Sequence, residues 1–318
     1  MIVLGLDVSK NDLHAAVIGE GTKLGKHSFS NNPRGHQQLL KWLENRGVAK
    51  VHACLEATGG FGEDLAIMLG EHGHVVSIVN PRRIKAFGQS EGVRTKTDAV
   101  DAALIARFCQ VHVPDPWTPP TPAERALQAL LRRRDNLIDM RIQETNRSEA
   151  PRTADSIRSS IQEHIRYLEE QIAAIEAEIR KLVDGDSGLR AKSELIRSIP
   201  GIGETTANGI LGEVPNLSEF RDVKAVGANA GLSPAHNQSG LSPGHSKLCK
   251  AGNARLRKIM FFPALVAIEK NPVIKAFADR LRARGKRPMV IVAAAMRKLL
   301  IIVYGVLKSG RPFMAPAS

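Results

Sequence analysis

The hydrophobic period changes once along this chain, across a proline-rich link at residues 113–122, and that change constrains the fold more than any other feature. Before the link, short apolar runs alternate with helical spacing. Residues 2–7 read as a buried strand ending in an acid. Residues 13–18 and 25–30 read as two further strands, separated by a glycine-rich turn at 19–21. A helix is predicted over 34–45, where Leu39, Leu40 and Leu43 share one face. A strand follows at 51–55, a helix at 61–72, a strand at 75–79 closed by Asn80 and Pro81, and a helix at 98–110. Three early strands followed by alternating helices and strands predict a mixed α/β sheet with helices packed on it.

After the link only helical spacing remains. Thr121, Pro122 and Glu124 supply an N-cap, a proline for the first helical position and a capping-box acid. The helix they start is expected to run to about residue 147. A second covers about 156–183 and carries Ile161, Ile165, Leu168, Ile172, Ile175, Ile179 and Leu182 in alternating steps of four and three. That is a heptad seam, so residues 121–183 read as an antiparallel helical hairpin or coiled coil. It is either a spacer or a seam that finds a partner chain. The expected organisation is a sheet domain over 1–120, a helical connector over 121–188 and a mainly α-helical domain over 189–318.

Charge divides the chain in the same way. Residues 221–318 hold 18 Lys and Arg against 3 Asp and Glu, whereas residues 1–220 hold 27 against 29. All of the excess positive charge lies in the last third, and a polyanion such as DNA or RNA is its natural partner. Aromatic residues are only 4%, which disfavours single-strand binding by base stacking. Cys54, Cys109 and Cys249 are scattered and odd in number, which argues against a disulfide framework or a zinc site and suits a reducing cytoplasm. No signal peptide is read at the N-terminus. The most apolar run, residues 288–307, is interrupted by Arg297 and Lys298. It is expected to be a buried helix, with no membrane partner.

Four acids stand out by placement. Asp7 ends the first strand, and Glu56 ends the strand at 51–55. Asp98 and Asp101 lie three apart at the start of a helix and face the same way. If the two strands are neighbours and the helix packs across them, four carboxylates converge at one edge of the sheet. Bringing them together favours a divalent cation, and hard oxygen ligands select magnesium or manganese. Two such ions about 4 Å apart can stabilise the attacking and leaving oxygens of a phosphodiester. Each acid alone has an ordinary explanation, since a strand end or a helix N-terminus favours an acid anyway.

With these residues in view, the chain resembles the DEDD transposases of the insertion-sequence 110 class, including its 1111 subgroup. The resemblance is carried by Gly5-Leu6-Asp7-Val8-Ser9-Lys10, by Leu55-Glu56-Ala57-Thr58-Gly59 and by Lys96-Thr97-Asp98-Ala99-Val100-Asp101-Ala102. In the second half it is carried by Ile199-Pro200-Gly201-Ile202-Gly203, Ala230-Gly231-Leu232-Ser233-Pro234, Gln238-Ser239-Gly240 and Gly252-Asn253-Ala254-Arg255-Leu256-Arg257. It implies a RuvC-like, RNase H-type fold for the N-terminal domain, with Asp7, Glu56, Asp98 and Asp101 as metal-binding catalytic acids. It implies that Ser239 attacks DNA to form a covalent phosphoserine. It also implies a structured guide RNA from the element itself, and a homo-oligomer, a dimer pairing into a tetramer.

A serine hydroxyl needs a base or a metal to activate it. His236 and His245 are the nearest histidines in sequence, and the acidic cluster is the better activator. Without the resemblance, Ser239-Gly240 reads as an ordinary turn, and Ser233, Ser242 and Ser246 lie in the same stretch. Gly201 and Gly203 between helical stretches resemble a helix-hairpin-helix, which meets a backbone phosphate through N–H groups. Lys247, Lys250, Arg255, Arg257 and Lys258 are further candidate phosphate contacts, as are the basic residues at 280–287. The function these features point to is transposition or site-specific recombination of DNA. Two rivals are a RuvC-like junction resolvase that uses water and would ignore loss of Ser239, and an architectural nucleic-acid-binding protein that would tolerate loss of all four acids.

Overall fold

A computed structural model of the chain describes residues 1–19, 22–57, 60–93, 97–150, 154–235, 247–249 and 251–315. They fall into two units, Met1–Pro119 and Pro120–Ser318.

In the first unit the chain forms β1 (Val3–Val8), β2 (Asp12–Gly19), β3 (Thr22–Ser30), α1 (Pro33–Glu44), β4 (His52–Glu56), α2 (Glu63–Glu71), β5 (Val75–Val79), α3 (Pro81–Ser90) and α4 (Asp98–His112). The sheet order is β3-β2-β1-β4-β5. β1, β2 and β3 pair antiparallel, while β4 runs parallel to β1 and β5 parallel to β4. An antiparallel trio extended by two parallel strands is the mixed α/β sheet that the alternation of strands and helices predicted. Side-chain alternation gives the sheet two faces. Leu4, Leu6, Leu13 and Val17 pack with Leu39 and Leu43 of α1 and Leu65 and Leu69 of α2. Val3, Ala16 and Cys54 pack with Phe87 of α3 and with Ile105, Ala106 and Phe108 of α4.

Local sequence explains where the helices start. The Asn32 side chain accepts from Gly35 N–H ahead of Pro33, and the Asn80 side chain accepts from Arg82 N–H ahead of Pro81. The helix α3 was not expected from the sequence, although Asn80-Pro81 is itself a start signal. Thr97 caps α4 by accepting from Val100 N–H. The helix then lies unusually close to β1. A Cβ on Gly5 would stand 2.1 Å from the Ala102 carbonyl oxygen and 2.3 Å from Ala106 N. Only glycine allows that approach.

The second unit is almost all helix: α5 (Pro122–Ser148), α6 (Asp155–Gly185), α7 (Ser187–Arg197), α8 (Glu204–Glu213), α9 (Val223–Asn229), α10 (Ala254–Lys270), α11 (Pro272–Ala283) and α12 (Pro288–Ser309). Two short strands, β6 (Pro234–Ala235) and β7 (Lys247–Leu248), pair antiparallel between α9 and α10. The capping box expected at α5 forms: Glu124 N–H donates to the Thr121 hydroxyl, and Thr121 N–H donates to the Glu124 carboxylate. The α5 and α6 helices pair antiparallel. Leu137 meets Leu168 and Ile172 near the outer end, while Leu127, Leu131, Ile179 and Val183 at the base join the main core of the unit. The central helix is α12. Its length and apolarity match a membrane span, but 50% of its most apolar stretch is buried inside the unit, and Leu299, Leu300 and Val303 are fully covered.

Candidate active site

Asp7 and Glu56 sit at the C-terminal ends of neighbouring parallel strands. The β1–β4 register runs from Val3↔His52 to Leu6↔Leu55, and one further step brings Asp7 alongside Glu56. Alternation places both on the face that carries Val3, Gly5 and Cys54, which is the face α4 covers.

The other two acids belong to α4, the helix that packs on this face. Asp98 and Asp101 lie in its first turn. The Asp98 carboxylate reaches His14 Nε2 at 3.4 Å, and His14 is the direct cross-strand partner of Asp7 in the β1–β2 ladder. The close packing at Gly5 sets the height of α4 over the sheet and thereby the height of its first turn. The sequence reading missed His14. Its signal was a polar residue on the strand face that also carries Ala16, a face that meets a helix. In register with these, Lys26 and Ser28 of β3 lie opposite Ala16 and His14, and they help to line a hollow of about 280 Å³ at the sheet edge.

Among the described residues no group of three His, Cys, Asp or Glu side chains is close enough to hold a metal ion. The donor chemistry nonetheless fits a hard divalent cation. Two carboxylates lie side by side on one face, and a third, that of Asp98, lies 3.4 Å from His14, the cross-strand partner of Asp7.

In the second unit, β6 and β7 bracket residues 236–246. Ser239 and Lys250 lie outside the described residues, as do His236, Ser242, His245 and Ser246. Several of the basic candidates have partners within the fold. Arg257 donates to the Ala230 carbonyl at 3.0 Å and to the Gly252 carbonyl at 3.2 Å, tying the chain entering β6 to the chain leaving β7. Arg255 pairs with Asp135 at 3.9 Å and Glu213 at 3.7 Å. Lys258 is exposed and lies 3.8 Å from Asp139. The backbone of Lys247 pairs with Ala235. Gly201 has φ +101°, and a Cβ there would meet the backbone of Ala267 on α10 at 2.9 Å, so packing alone requires glycine. Gly203 is the exposed N-cap of α8.

Residues 4–151 match a family profile of the DEDD type described as "Transposase", and residues 193–279 match one described as "Transposase IS116/IS110/IS902 family". The chain is 35% identical to the pilin gene-inverting protein of Moraxella bovis, over 98% of this chain and 97% of that one. It is 25% identical to the transposase for insertion sequence element IS1328 of Yersinia enterocolitica, over 84% of each. Among solved structures, Thermus thermophilus RuvC in complex with a Holliday junction substrate aligns at 16% identity with a TM-score of 0.28, covering 37% of this chain and 99% of that one.

Proposed function

The chain belongs to the IS116/IS110/IS902 family of transposases, enzymes of DNA recombination, and from that premise we propose that it cuts and rejoins DNA through a covalent 5′-phosphoserine at Ser239, assisted by the acidic site of its first unit. The observation that carries this reading is the pairing of Asp7 with Glu56 on the face crossed by α4, with Asp98 drawn to His14 opposite Asp7. The Moraxella relative bears the name of a gene-inverting protein, and inversion requires that cut strands be rejoined.

The chemistry balances without an outside energy source. The Ser239 oxygen bonds to phosphorus while the bond from phosphorus to the 3′ oxygen breaks, and the serine proton ends on the departing 3′ hydroxyl. A 3′ hydroxyl from the partner strand then attacks the phosphoserine and returns the serine. Magnesium or manganese held by Asp7, Glu56, Asp98 and Asp101 would supply Lewis-acid stabilisation of the phosphoryl oxygens. His14 orients Asp98, and Gly5 fixes the depth of α4. An element-encoded RNA that pairs with both DNAs would supply sequence choice. Its support is a basic third suited to tracking phosphates, which reads no bases. The working form is proposed to be a dimer that pairs into a tetramer. Its support is the exposed Met140, Ile142, Ile157 and Tyr167 on the α5–α6 hairpin.

The test is a strand-transfer reaction on the element's junction DNA and a target duplex, with the flanking transcript and magnesium, resolved on a denaturing gel. A protein–DNA adduct present in wild type and lost in both Asp7→Ala and Ser239→Ala is the expected result. Cleavage without an adduct, unaffected by Ser239→Ala, would leave a hydrolytic nuclease instead.

A further inference from the structure

Two cysteines that are far apart in sequence meet in the core of the first unit. Cys54 lies on β4 and Cys109 near the end of α4, and both are fully buried in the layer between the sheet and that helix. The two thiols are within hydrogen-bonding reach of each other. The Cys109 thiol also lies 3.6 Å from the His52 carbonyl of β4, to which it donates. The recombinase chemistry uses neither thiol. Cys249, in the second unit, is exposed.

Their place on α4 gives the pair leverage over the acids. The helix crosses the sheet on three contacts. In its first turn, Asp98 lies 3.4 Å from His14 of β2. In its middle, the backbone at Ala102 and Ala106 lies so close to Gly5 of β1 that a Cβ there would stand 2.1 Å from the Ala102 oxygen. Near its end, Cys109 sits on β4. The middle contact has no slack to take up, so it acts as a fulcrum. A sulfur–sulfur bond is far shorter than any non-bonded sulfur contact. Drawing Cys109 onto Cys54 therefore tips α4 about Gly5, and the turn that carries Asp98 and Asp101 rises from the sheet. The Asp98–His14 contact opposes this, but Asp98 is 71% exposed, and exposed pairs of this kind are weak.

We propose that Cys54 and Cys109 form a reversible oxidation site, whose disulfide lifts the acids of α4 and stops strand transfer. The loss of strand transfer rests on the recombinase reading; the thiol chemistry does not. With a peroxide as oxidant, one thiol takes an oxygen as the O–O bond breaks, becoming a sulfenic acid, and the other peroxide oxygen leaves as water. The second thiol then attacks the sulfenic sulfur. The S–S bond forms, and a second water carries off the remaining hydrogen. Sulfur is oxidised and peroxide oxygen is reduced. A dithiol reductant returns both thiols. Because both thiols are covered, the reaction runs at the rate at which α4 opens from the sheet, so the pair responds to sustained oxidation.

The test uses the full chain carrying Cys249→Ser, which removes the exposed thiol, incubated with millimolar hydrogen peroxide. The expected results are a mass lowered by two hydrogens and a peptide linking Cys54 to Cys109 in a non-reducing digest. Amide exchange should become faster over residues 98–101. Strand transfer should fall by about a hundredfold, as for a catalytic group misplaced by about 1 Å, and recover with dithiothreitol. Cys109→Ala and Cys54→Ala, each in the same background, are expected to keep strand transfer through the peroxide treatment. Absence of the linked peptide overturns the proposal. So does a linked peptide with unchanged exchange over 98–101, and so does inhibition that persists in both alanine variants. The mass and the exchange are read on protein without DNA. A chain that shows no strand transfer in either redox state therefore counts against the recombinase reading, and those two measurements still decide the thiol pair.

Discussion

Single residues set two properties that the fold cannot recover elsewhere. Gly5 lies against the backbone of α4 at a distance no Cβ tolerates. Gly5→Ala should force α4 off β1 and carry Asp98 and Asp101 away from Asp7. The expected cost is about 1–3 kcal/mol, read as a lower urea midpoint, with strand transfer lost even where the variant stays folded. Unchanged stability would mean the helix can ride higher than it does. Glu124 is the second case. Burial works to raise its pKa, but the Lys192 ammonium at 2.7 Å and the Thr121 backbone N–H together hold it below the usual carboxylate range. A lowered folded pKa means that the stabilisation is fully present above the unfolded value of about 4.3 and is lost as pH falls through the folded value. Glu124→Gln should therefore cost about 1–2 kcal/mol at pH 7, and the gap to wild type should close in urea titrations carried below pH 4.

At the scale of elements, the α5–α6 hairpin shows what a heptad seam does and does not decide. Leu168, Ile172 and Ile179 are buried on α5 within the same chain, whereas Ile161, Ile165, Ile175 and Leu182 are only half-buried. The outer half of the hairpin depends on the small cluster of Leu137, Leu168 and Ile172. Leu137→Ala should cost about 2–3 kcal/mol. Faster amide exchange should appear over 137–172 while the base of the hairpin stays protected. Faster exchange throughout the second unit would mean that the hairpin and core unfold as one. For the proposed assembly, Ile157→Asp and Tyr167→Asp are expected to lower the sedimentation coefficient while leaving the helix signal intact.

Across the whole molecule, the decisive property is the separation of charge. Excess positive charge is confined to the last third, and the acidic site lies in the first unit. DNA affinity should fall by about three orders of magnitude between 50 and 200 mM salt if about six phosphates are neutralised. The acids contribute little to this attraction, so Glu56→Gln should leave the salt slope as it is and abolish strand transfer. A flat salt response would assign binding to something other than the basic third. The structure also gives individual charges partners within the fold: Arg257 donates to the Ala230 and Gly252 carbonyls, and Arg255 lies 3.9 Å from Asp135 and 3.7 Å from Glu213.

The sequence by itself determined the sheet unit, the capping box at Thr121 and Glu124, the antiparallel helices and the placement of Asp7 and Glu56 at strand ends. Those features depend on short-range periodicity and on caps, where neighbouring residues carry the whole signal. It did not determine that Asp7 and Glu56 are adjacent, because strand order is settled by which apolar faces bury each other across the chain. Nor did it reveal His14 beside Asp98, since a cross-strand and a helix contact must both form first. The role of each arginine was equally out of reach. A guanidinium binds a carbonyl, a carboxylate or a phosphate with the same donors, and only the packed structure decides which of them lies within its reach.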